Sequence, residues 1–411
     1  MAGNVTYYAY DLGLSSNGGV PLLEAELPLT AVTWSQRLNA AGSLSGTIEL
    51  TDPRIQNLDP WDATRPSRTL LVVDVDGSAE WAGIVWTRSY DNSSKQLQIG
   101  AQEIFSYFGR RIQVQDYSVA PTSGPAATYW SANPALASAI ACGVVADAVG
   151  AANSAFPGML FNQVFETGDW ESITPSYPTT QHQQVDRIVS DLSGMAYGTG
   201  FDFAVEVAWP AGKCGGTPVL TFTTYFPRRG RVGAASGLVL DSAAVTNYQW
   251  PEDGTQQATS VIESISSVSQ AATTTGSVPE IVASVDLAGY PLLENVTPAK
   301  NIGVVSNPAT WSTDPYVAGI VYGDLWQLLF PVFTPTCTLY TFDKSLPLGS
   351  FLVGDDVRVI IAPDERFPAG VDTYLRIVGL DVAVPQQGRS TMTLTFNWPL
   401  EAALSLEIPP F

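Results

Sequence analysis

His182 is the only histidine in the chain, set in the run Thr179-Thr-Gln-His-Gln-Gln184. A general base needs a nucleophile within hydrogen-bond reach and a pocket around both, and the local sequence supplies neither. It reads as an exposed residue on the approach to a helix, and without it no Ser/His/Asp triad can be drawn. There is no GxSxG elbow, no HExxH helix and no GxxxxGK[ST] phosphate loop. Two acidic pairs, Asp355-Asp356 at a strand start and Asp364-Glu365 in a loop, have the right groups for half of a glycosidase pair or for calcium. Neither lies in a spaced Asp-x-Asp-x-Asp-Gly pattern, and both are expected to be solvated turn residues. The cysteines, Cys142, Cys214 and Cys337, are scattered and odd in number, which signals neither a disulfide framework nor a zinc site. The run Arg228-Arg-Gly-Arg231 can touch phosphate or bond to carboxylates at a strand end, and both readings stay open. The residues therefore predict no enzyme, with no catalytic, cofactor-binding or metal residue to name.

Eleven tryptophans raise a different chemistry, the stacking of sugars on exposed rings. Trp81, Trp86, Trp209, Trp250 and Trp398 fall in or beside strands, where aromatic side chains fill a core or an interface. Trp61, Trp130 and Trp170 lie in loop-like stretches and are the candidates for exposed contacts. A glycan- or receptor-binding role rests on these three, and a cell-wall hydrolase would need the acidic pairs. Core or interface packing is the expectation for most of the rings.

The framework that must carry these residues is acidic and sparsely charged. Lys and Arg number 19 against 39 Asp and Glu, for a formal charge of −20, while only 14% of residues are charged and 45% are apolar. Such a balance excludes a dominant basic groove for nucleic acid. It suits a surface covered by protein partners, and an acidic channel wall repels phosphate and lets a duplex slide past. No stretch approaches 18 uninterrupted apolar residues, so no membrane-spanning helix is expected. The start, Met1-Ala-Gly-Asn-Val-Thr-Tyr-Tyr, is not read as a signal peptide, and synthesis in a cytoplasm follows.

At 411 residues the chain exceeds the usual size of one core. The strongest organising signal is a pattern repeated at its two ends. Ser67–Asp76, Trp81–Trp86 and Lys95–Ala101 read as strand, loop, strand, turn, strand. Gly354–Ile361, Tyr374–Leu380 and Ser390–Phe396 read the same way. Further strands are predicted at Leu22–Leu29, Ala31–Leu38 and Ser43–Leu50, the last alternating Leu44, Gly46, Ile48 and Leu50. Between the two ends, Asn133-Pro134 reads as a helix start ahead of Leu136, Ile140 and Val144. A second helix places Val185, Ile188, Val189, Leu192 and Met195 on one face, with a capping box from Thr180 and Gln183 and an end at Gly194 or Gly198. Strands at Phe201–Trp209, Val219–Phe226, Gly237–Leu240, Val245–Trp250 and Ser260–Val268 follow, then an exposed Ser269–Ser277 loop and a third helix from Asp314 to Leu329.

The expected fold is mainly β with α+β insertions, in which two small β-barrels related by a pseudo-repeat flank helix-containing domains. The expected boundaries are 1–115 for the first tube-type barrel, 116–235 for an α+β insertion, 236–332 for a second insertion or connector, and 333–411 for the second barrel. Two similar modules in one chain suit a ring or tube, and hence a conduit.

Three segments carry a family resemblance. They are Thr33-Trp-Ser-Gln-Arg-Leu-Asn-Ala-Ala-Gly-Ser-Leu-Ser-Gly-Thr-Ile-Glu-Leu50; the break after Glu103-Ile-Phe-Ser-Tyr-Phe-Gly-Arg-Arg111 with the insertion ending Met195-Ala-Tyr-Gly-Thr-Gly-Phe-Asp-Phe203; and Val353-Gly-Asp-Asp-Val-Arg-Val359 with Arg376-Ile-Val-Gly-Leu-Asp-Val382. In this order they resemble the tail hub proteins of long-tailed bacteriophages, also called baseplate hub, tail-associated or minor tail proteins. The resemblance implies a homotrimer whose paired barrels make a pseudo-sixfold ring in the virion tail tip, after synthesis in the host cytoplasm. It implies distal tail protein and tail tube above, threefold tip or fibre proteins below, and a channel passed by the tape measure protein and then by DNA without specific binding. The same core architecture occurs in type VI secretion spikes and contractile injection machines. Some relatives add a lytic or sugar-binding domain after the second barrel; this sequence ends at Glu407-Ile-Pro-Pro-Phe411, so no borrowed lytic activity is expected.

Overall fold

A computed structural model of the chain describes residues 4–12, 20–130, 135–151, 154–165, 173, 177–194, 200–210, 213–264, 280–286, 289–297, 321, 325, 328–329, 331–342 and 346–398. The strands of the first half are β1 (Val5–Asp11), β2 (Leu22–Glu26), β3 (Leu29–Arg37), β4 (Ser43–Glu49), β5 (Thr69–Val75), β6 (Ser78–Asp91) and β7 (Gln96–Glu103). The middle holds helices α1 (Ala126–Tyr129), α2 (Ala137–Gly150) and α3 (Val185–Ser193) with strands β8 (Leu160–Phe165), β9 (Asp202–Ala208) and β10 (Val219–Phe226). Then come β11 (Val239–Asp241), β12 (Asn247–Gln249), β13 (Glu252–Asp253), β14 (Ser260–Ser264), β15 (Glu280–Ser284) and β16 (Glu294–Thr297). The chain continues through β17 (Val332–Phe333), β18 (Thr336–Tyr340), β19 (Asp356–Ile361), β20 (Val371–Val384) and β21 (Thr391–Asn397). The fold is mainly β with helical insertions, as expected.

The strands of both ends belong to one 13-stranded sheet, in the order β12-β18-β21-β20-β3-β4-β7-β6-β5-β1-β2, with β19 on β20 and β11 on β19. The two modules read from the sequence are thus joined through β3 and β20, antiparallel from Arg37 opposite Gly379 to Val32 opposite Val384. Among the described residues the pairing runs as an open path.

The repeat holds over five antiparallel strands in each half and differs at the sixth, where β1 runs antiparallel to β5 but β11 runs parallel to β19. One half is ordered β3-β4-β7-β6-β5-β1 and the other β12-β18-β21-β20-β19-β11. The third strand back from each end, β6 or β20, is 14 residues long in both halves. Both carry a bulge where they meet the next strand, between Val85 and Thr87 and between Ile377 and Gly379. A bulge inserts one unpaired residue and bends the strand, so a shared bulge fixes the alignment of the two halves. One row of facing residues runs Thr33, Ser45, Gly100, Thr87. Its counterpart runs Gln249, Thr336, Thr395, Gly379.

Side-chain alternation explains the layers. Leu44, Gly46 and Ile48 of β4 point inward while Ser43 and Ser45 are exposed, as a half-buried strand requires. In β5 all seven residues are buried. Its faces feed two different cores, Leu70 and Val72 into one and Leu71, Val73 and Val75 into the other. The second core is common to both halves and includes Trp34, Ile48, Leu97, Val357, Leu380 and Phe396. The first core packs α2, α3 and β10 against the outer face of the N-terminal strands. Helix α2, Ala-rich and apolar all round, is buried along nearly its whole length, as such a helix must be. Helix α3 buries Val185, Ile188, Val189 and Leu192 of the predicted stripe and stops at Gly194, while Met195, its fifth member, lies outside the described residues.

Several expectations differ from the structure. Asn133 and Pro134 lie outside the described residues, and α2 starts only at Ala137. Ala135 is held extended by hydrogen bonds both to and from Ile173, which delays the first helical turn. No capping box precedes α3. Thr179–Gln181 form a 3-10 turn, and the Gln183 N–H donates to the Gln113 side chain while its carbonyl accepts from the Gln113 N–H. Ser269–Ser277 lie outside the described residues, as does most of the helix predicted from Asp314. Val321 and Leu325 of that stretch are fully buried.

Candidate functional site

The joint between the two halves is built from β3 and β20. Val32 and Trp34 of β3 face the shared core, as do Leu380 and Val382 of β20. Arg37 spans the joint, its Nη2 donating to Asp381 Oδ1 at 2.6 Å and its Nη1 to the Leu380 carbonyl at 3.0 Å. The Arg37–Asp381 side chains are 38% and 47% exposed, so this pair adds at most about 1 kcal/mol. The backbone ladder and the apolar contacts beneath it hold the joint.

Beside this joint the basic run Arg228–Arg231 fastens the α+β insertion to the sheet. Arg228 Nη2 lies 2.5 Å from Asp356 Oδ1, with side chains only 2% and 1% exposed. Asp356 Oδ2 also accepts the Gly233 N–H at 2.7 Å. Arg231 Nη2 lies 2.5 Å from Asp355 Oδ2, and Asp355 accepts backbone N–H groups from Arg231 and Leu352. Burial alone would raise the Asp355 carboxyl, but the Arg231 guanidinium and the two backbone donors together hold it below the usual range. Gly230, between the arginines, has φ +94, and a Cβ there would meet the Gly354 carbonyl carbon at 2.3 Å. Only glycine permits that close approach with that backbone.

Asp202, at the start of β9, completes the clamp. It accepts from the Arg229 N–H at 2.6 Å and the Asn39 Nδ2 at 2.9 Å, and it is ion-paired with Arg376 of β20. Asn39 in turn accepts the Phe203 N–H. One carboxylate therefore ties the β3–β4 turn, the long strand β20 and the insertion. A second tie lies nearer β5, where Asp74 Oδ2 accepts Trp209 Nε1 at 2.6 Å and the Cys214 thiol at 3.2 Å.

Asp355 and Asp356 are thus buried and ion-paired, which corrects their reading as solvated turn residues. Their oxygens are taken up by arginines and backbone N–H groups, so they cannot serve as a general acid and base. The carboxylate-bonded reading of Arg228–Arg231 is the one realised. Asp364 and Glu365 sit in an exposed turn, where Asp364 accepts the N–H groups of Arg366 and Phe367. His182 is exposed, in the left-handed region at φ 48. Among the described residues no group of three or more His, Cys, Asp or Glu converges on a common point.

Trp61 is 42% exposed, with its ring under the Arg88 guanidinium and edge-on to Tyr90 at 5.6 Å. Trp130, by contrast, is fully buried beside Tyr117; α1 folds the Pro-rich loop back over the first core, and this corrects its reading as an exposed ring. Trp170 lies outside the described residues. Trp81 is buried, whereas Trp86, Trp209, Trp250 and Trp398 are partly buried at the margins of the cores. Cys142 and Cys337 are buried with their thiols pushed up to about 12 by desolvation, and Cys214 is exposed. Sequence reasoning missed Asp202, Asp74 and Glu103. Glu103 accepts the Gly42 N–H at 2.5 Å, and burial pushes its carboxyl up to about 8 against the opposing pull of that N–H and of Arg229 and Arg37.

No protein-family model matches the chain, and neither does any curated protein. Solved structures do. The tail protein from Neisseria meningitidis MC58 matches with a TM-score of 0.54 at 12% identity, over 96% of this chain and 96% of that one. The 43 kDa tail protein of prophage MuSo2 from Shewanella oneidensis matches with a TM-score of 0.53 at 14% identity, over 98% of each. The chain has the phage tail-protein fold. Near-complete coverage on both sides means that the likeness of fold is not confined to one part of the chain. Among the described residues no helix of this tail-protein fold is long and apolar enough to cross a membrane.

Proposed function

We propose that the chain is a structural hub of a phage tail tip, not an enzyme. Three copies form a ring with pseudo-sixfold symmetry, in which the repeated halves alternate as small barrels: residues 1–115, and residues 333–411 together with β11 and β12 from the connector 236–332, with the α+β insertion 116–235 between them in the sequence. The ring joins the tail tube and distal tail protein to threefold tip or fibre proteins. It surrounds the channel through which the tape measure protein and then DNA leave during ejection, without specific contact to DNA. Its place is the virion tail, after synthesis in the host cytoplasm.

The observation that carries this reading is the internal repeat, two halves of the same strand order joined edge to edge in one sheet. A chain with two equivalent units matches sixfold neighbours on one side and threefold neighbours on the other when three copies close a ring. The acidic balance of the whole chain, with a formal charge of −20, fits this reading, because an acidic wall repels phosphate. Electron microscopy of the native particle tests it. A threefold ring of this chain at the tail tip is the expected result, and a single monomeric copy there refutes the reading.

A further inference from the structure

Among the described residues the internal repeat leaves one joint made and one unmade in every chain. The made joint sets β3 against residues Gly379–Val384 of β20. With the two bulges superposed, the counterpart of Gly379–Val384 is the stretch from Thr87 to Asn92 at the end of β6. That stretch has β7 on one side, and among the described residues no strand on the other. The counterpart of β3 is the segment Tyr248–Asp253, spanning β12 and β13. It has β18 and β17 on one side, and again no strand on the other among the described residues. Among the described residues each chain therefore carries an unpaired socket and an unpaired edge of matching parentage, set apart from each other by six intervening strands of the sheet.

We infer that the edge Tyr248–Asp253 of one copy pairs antiparallel with Thr87–Asn92 of the next, repeating between chains the joint that β3 and β20 make within one. This specifies the seam of the hub ring and rests on that reading for the number of copies. The register follows from the made joint. There, Arg37 faces Gly379, Gln36 faces Leu380, Trp34 faces Val382 and Val32 faces Val384. Transferred to the seam, Asp253 faces Thr87, Glu252 faces Arg88, Trp250 faces Tyr90 and Tyr248 faces Asn92.

Three features fit this register. Glu252 and Arg88 have opposite charges, and cross-strand pairs of opposite charge stabilise while like charges oppose. Trp250 and Tyr90 form an aromatic pair at the position where Trp34 meets Val382. Arg88 and Tyr90 also face the core side, being opposite the buried Ile99 and Leu97 of β7. The backbone donors match as well. The Leu38 N–H donates to the Val378 carbonyl, so Gln36, Trp34 and Val32 turn their N–H groups toward β20. Their counterparts are Glu252, Trp250 and Tyr248, and Pro251 falls on the alternate parity, where its missing N–H costs the seam nothing.

Forming the seam exchanges contacts that the single chain makes: Arg88 donates to the Trp61 carbonyl and the Thr64 hydroxyl, Tyr90 to Asn92 and Tyr248 to Asp364, while Trp250 packs edge-on against Phe333 and Phe367. Thr87, Ser89, Tyr90 and Asp91 are exposed, as are Glu252 and Asp253. Glu252 is held by Arg366 at 2.6 Å in the single chain, an exposed pair that exchanges readily. A head-to-tail contact of this kind closes into a ring when its rotation closes.

Paired cysteines test the seam in the purified full-length chain carrying Cys214→Ser. Arg88→Cys with Glu252→Cys is expected to give covalent oligomers on oxidation, and Ser45→Cys with Glu252→Cys none. Sedimentation of Glu252→Arg is expected to show at least about 10-fold weaker assembly, restored by Arg88→Glu in the same chain. Circular dichroism of each variant monitors folding. A ring that assembles without the 88–252 cross-link overturns the seam and leaves the hub standing. Cross-linked oligomers from a chain absent from the particle's ring overturn the hub and leave the seam. A chain that stays monomeric and uncross-linked at the highest soluble concentration overturns the inference.

Discussion

Replacing Asp356 with alanine separates the clamp from the surface ion pairs around it. The carboxylate is 1% exposed and lies 2.5 Å from the guanidinium of Arg228, itself 2% exposed. It also satisfies the Gly233 N–H. Removing it takes the carboxylate from a buried cation that keeps its hydrogen bond to the Gly354 carbonyl, and breaking such a pair from one side costs about 3–5 kcal/mol. At the made joint, Asp381→Ala removes the partner of Arg37 where both groups are well exposed, and about 0–1 kcal/mol is expected. Urea titration followed by tryptophan fluorescence measures both, with hydrogen exchange at Gly233 and along β19 showing where the structure opens. The double variant Arg228→Met, Asp356→Ala is expected to recover part of the loss, because the buried cation goes together with its carboxylate. If Asp356→Ala costs no more than Asp381→Ala, or if the double variant is worse than the sum of the singles, the clamp does not bear the load assigned to it.

Four further outcomes follow from the same contacts. Gly230→Ala forces a methyl against the Gly354 carbonyl at a positive φ, and a loss of at least about 2 kcal/mol is expected by denaturant titration. Trp130→Ala empties a fully buried site and is expected to cost about 3–5 kcal/mol, whereas Trp61→Ala stays near 1 kcal/mol in the same titration. A thiol reagent such as Ellman's reagent is expected to label Cys214 in the native chain and to reach Cys142 and Cys337 only in denaturant. Glu103 holds its proton up to about pH 8 in the folded chain but only to about pH 4.3 unfolded. The folded state binds the extra proton between those values, so this group's contribution to stability falls as pH rises from about 4.3 to 8 and is level above. Glu103→Gln is expected to remove that slope, read as a flatter profile of urea midpoint against pH.

The sequence made the repeat legible because alternation marks half-buried strands one at a time. Leu44, Gly46 and Ile48 or Met392, Leu394 and Phe396 announce their inner face without reference to any neighbour. The joint between β3 and β20 leaves no such mark, since pairing between distant strands depends on edges and not on periodicity. The clamp stayed hidden for a related reason. Arg228–Arg231 and Asp355–Asp356 each look like surface charge until the fold brings one run against the other, and burial then turns them into internal ties. Trp130 was misread because a Pro- and Gly-rich loop resembles a surface loop whether or not α1 folds it back over a core. The start of α2 was misplaced because Asn133-Pro134 is a sound local cap signal that a bridge from Ala135 to Ile173 overrides.

The joint also sets a clock on biosynthesis. Arg37 and its partner Asp381 are 344 residues apart. At about 5–20 residues per second, the ribosome needs roughly 20–70 s to deliver β20 after β3 has emerged. Through that interval β3 shows a bare row of backbone donors and acceptors to every nascent chain nearby, the template on which mispaired aggregates grow. A chaperone or crowded polysome that shields this strand would therefore govern how much correctly folded product is made, even though it touches nothing in the finished protein.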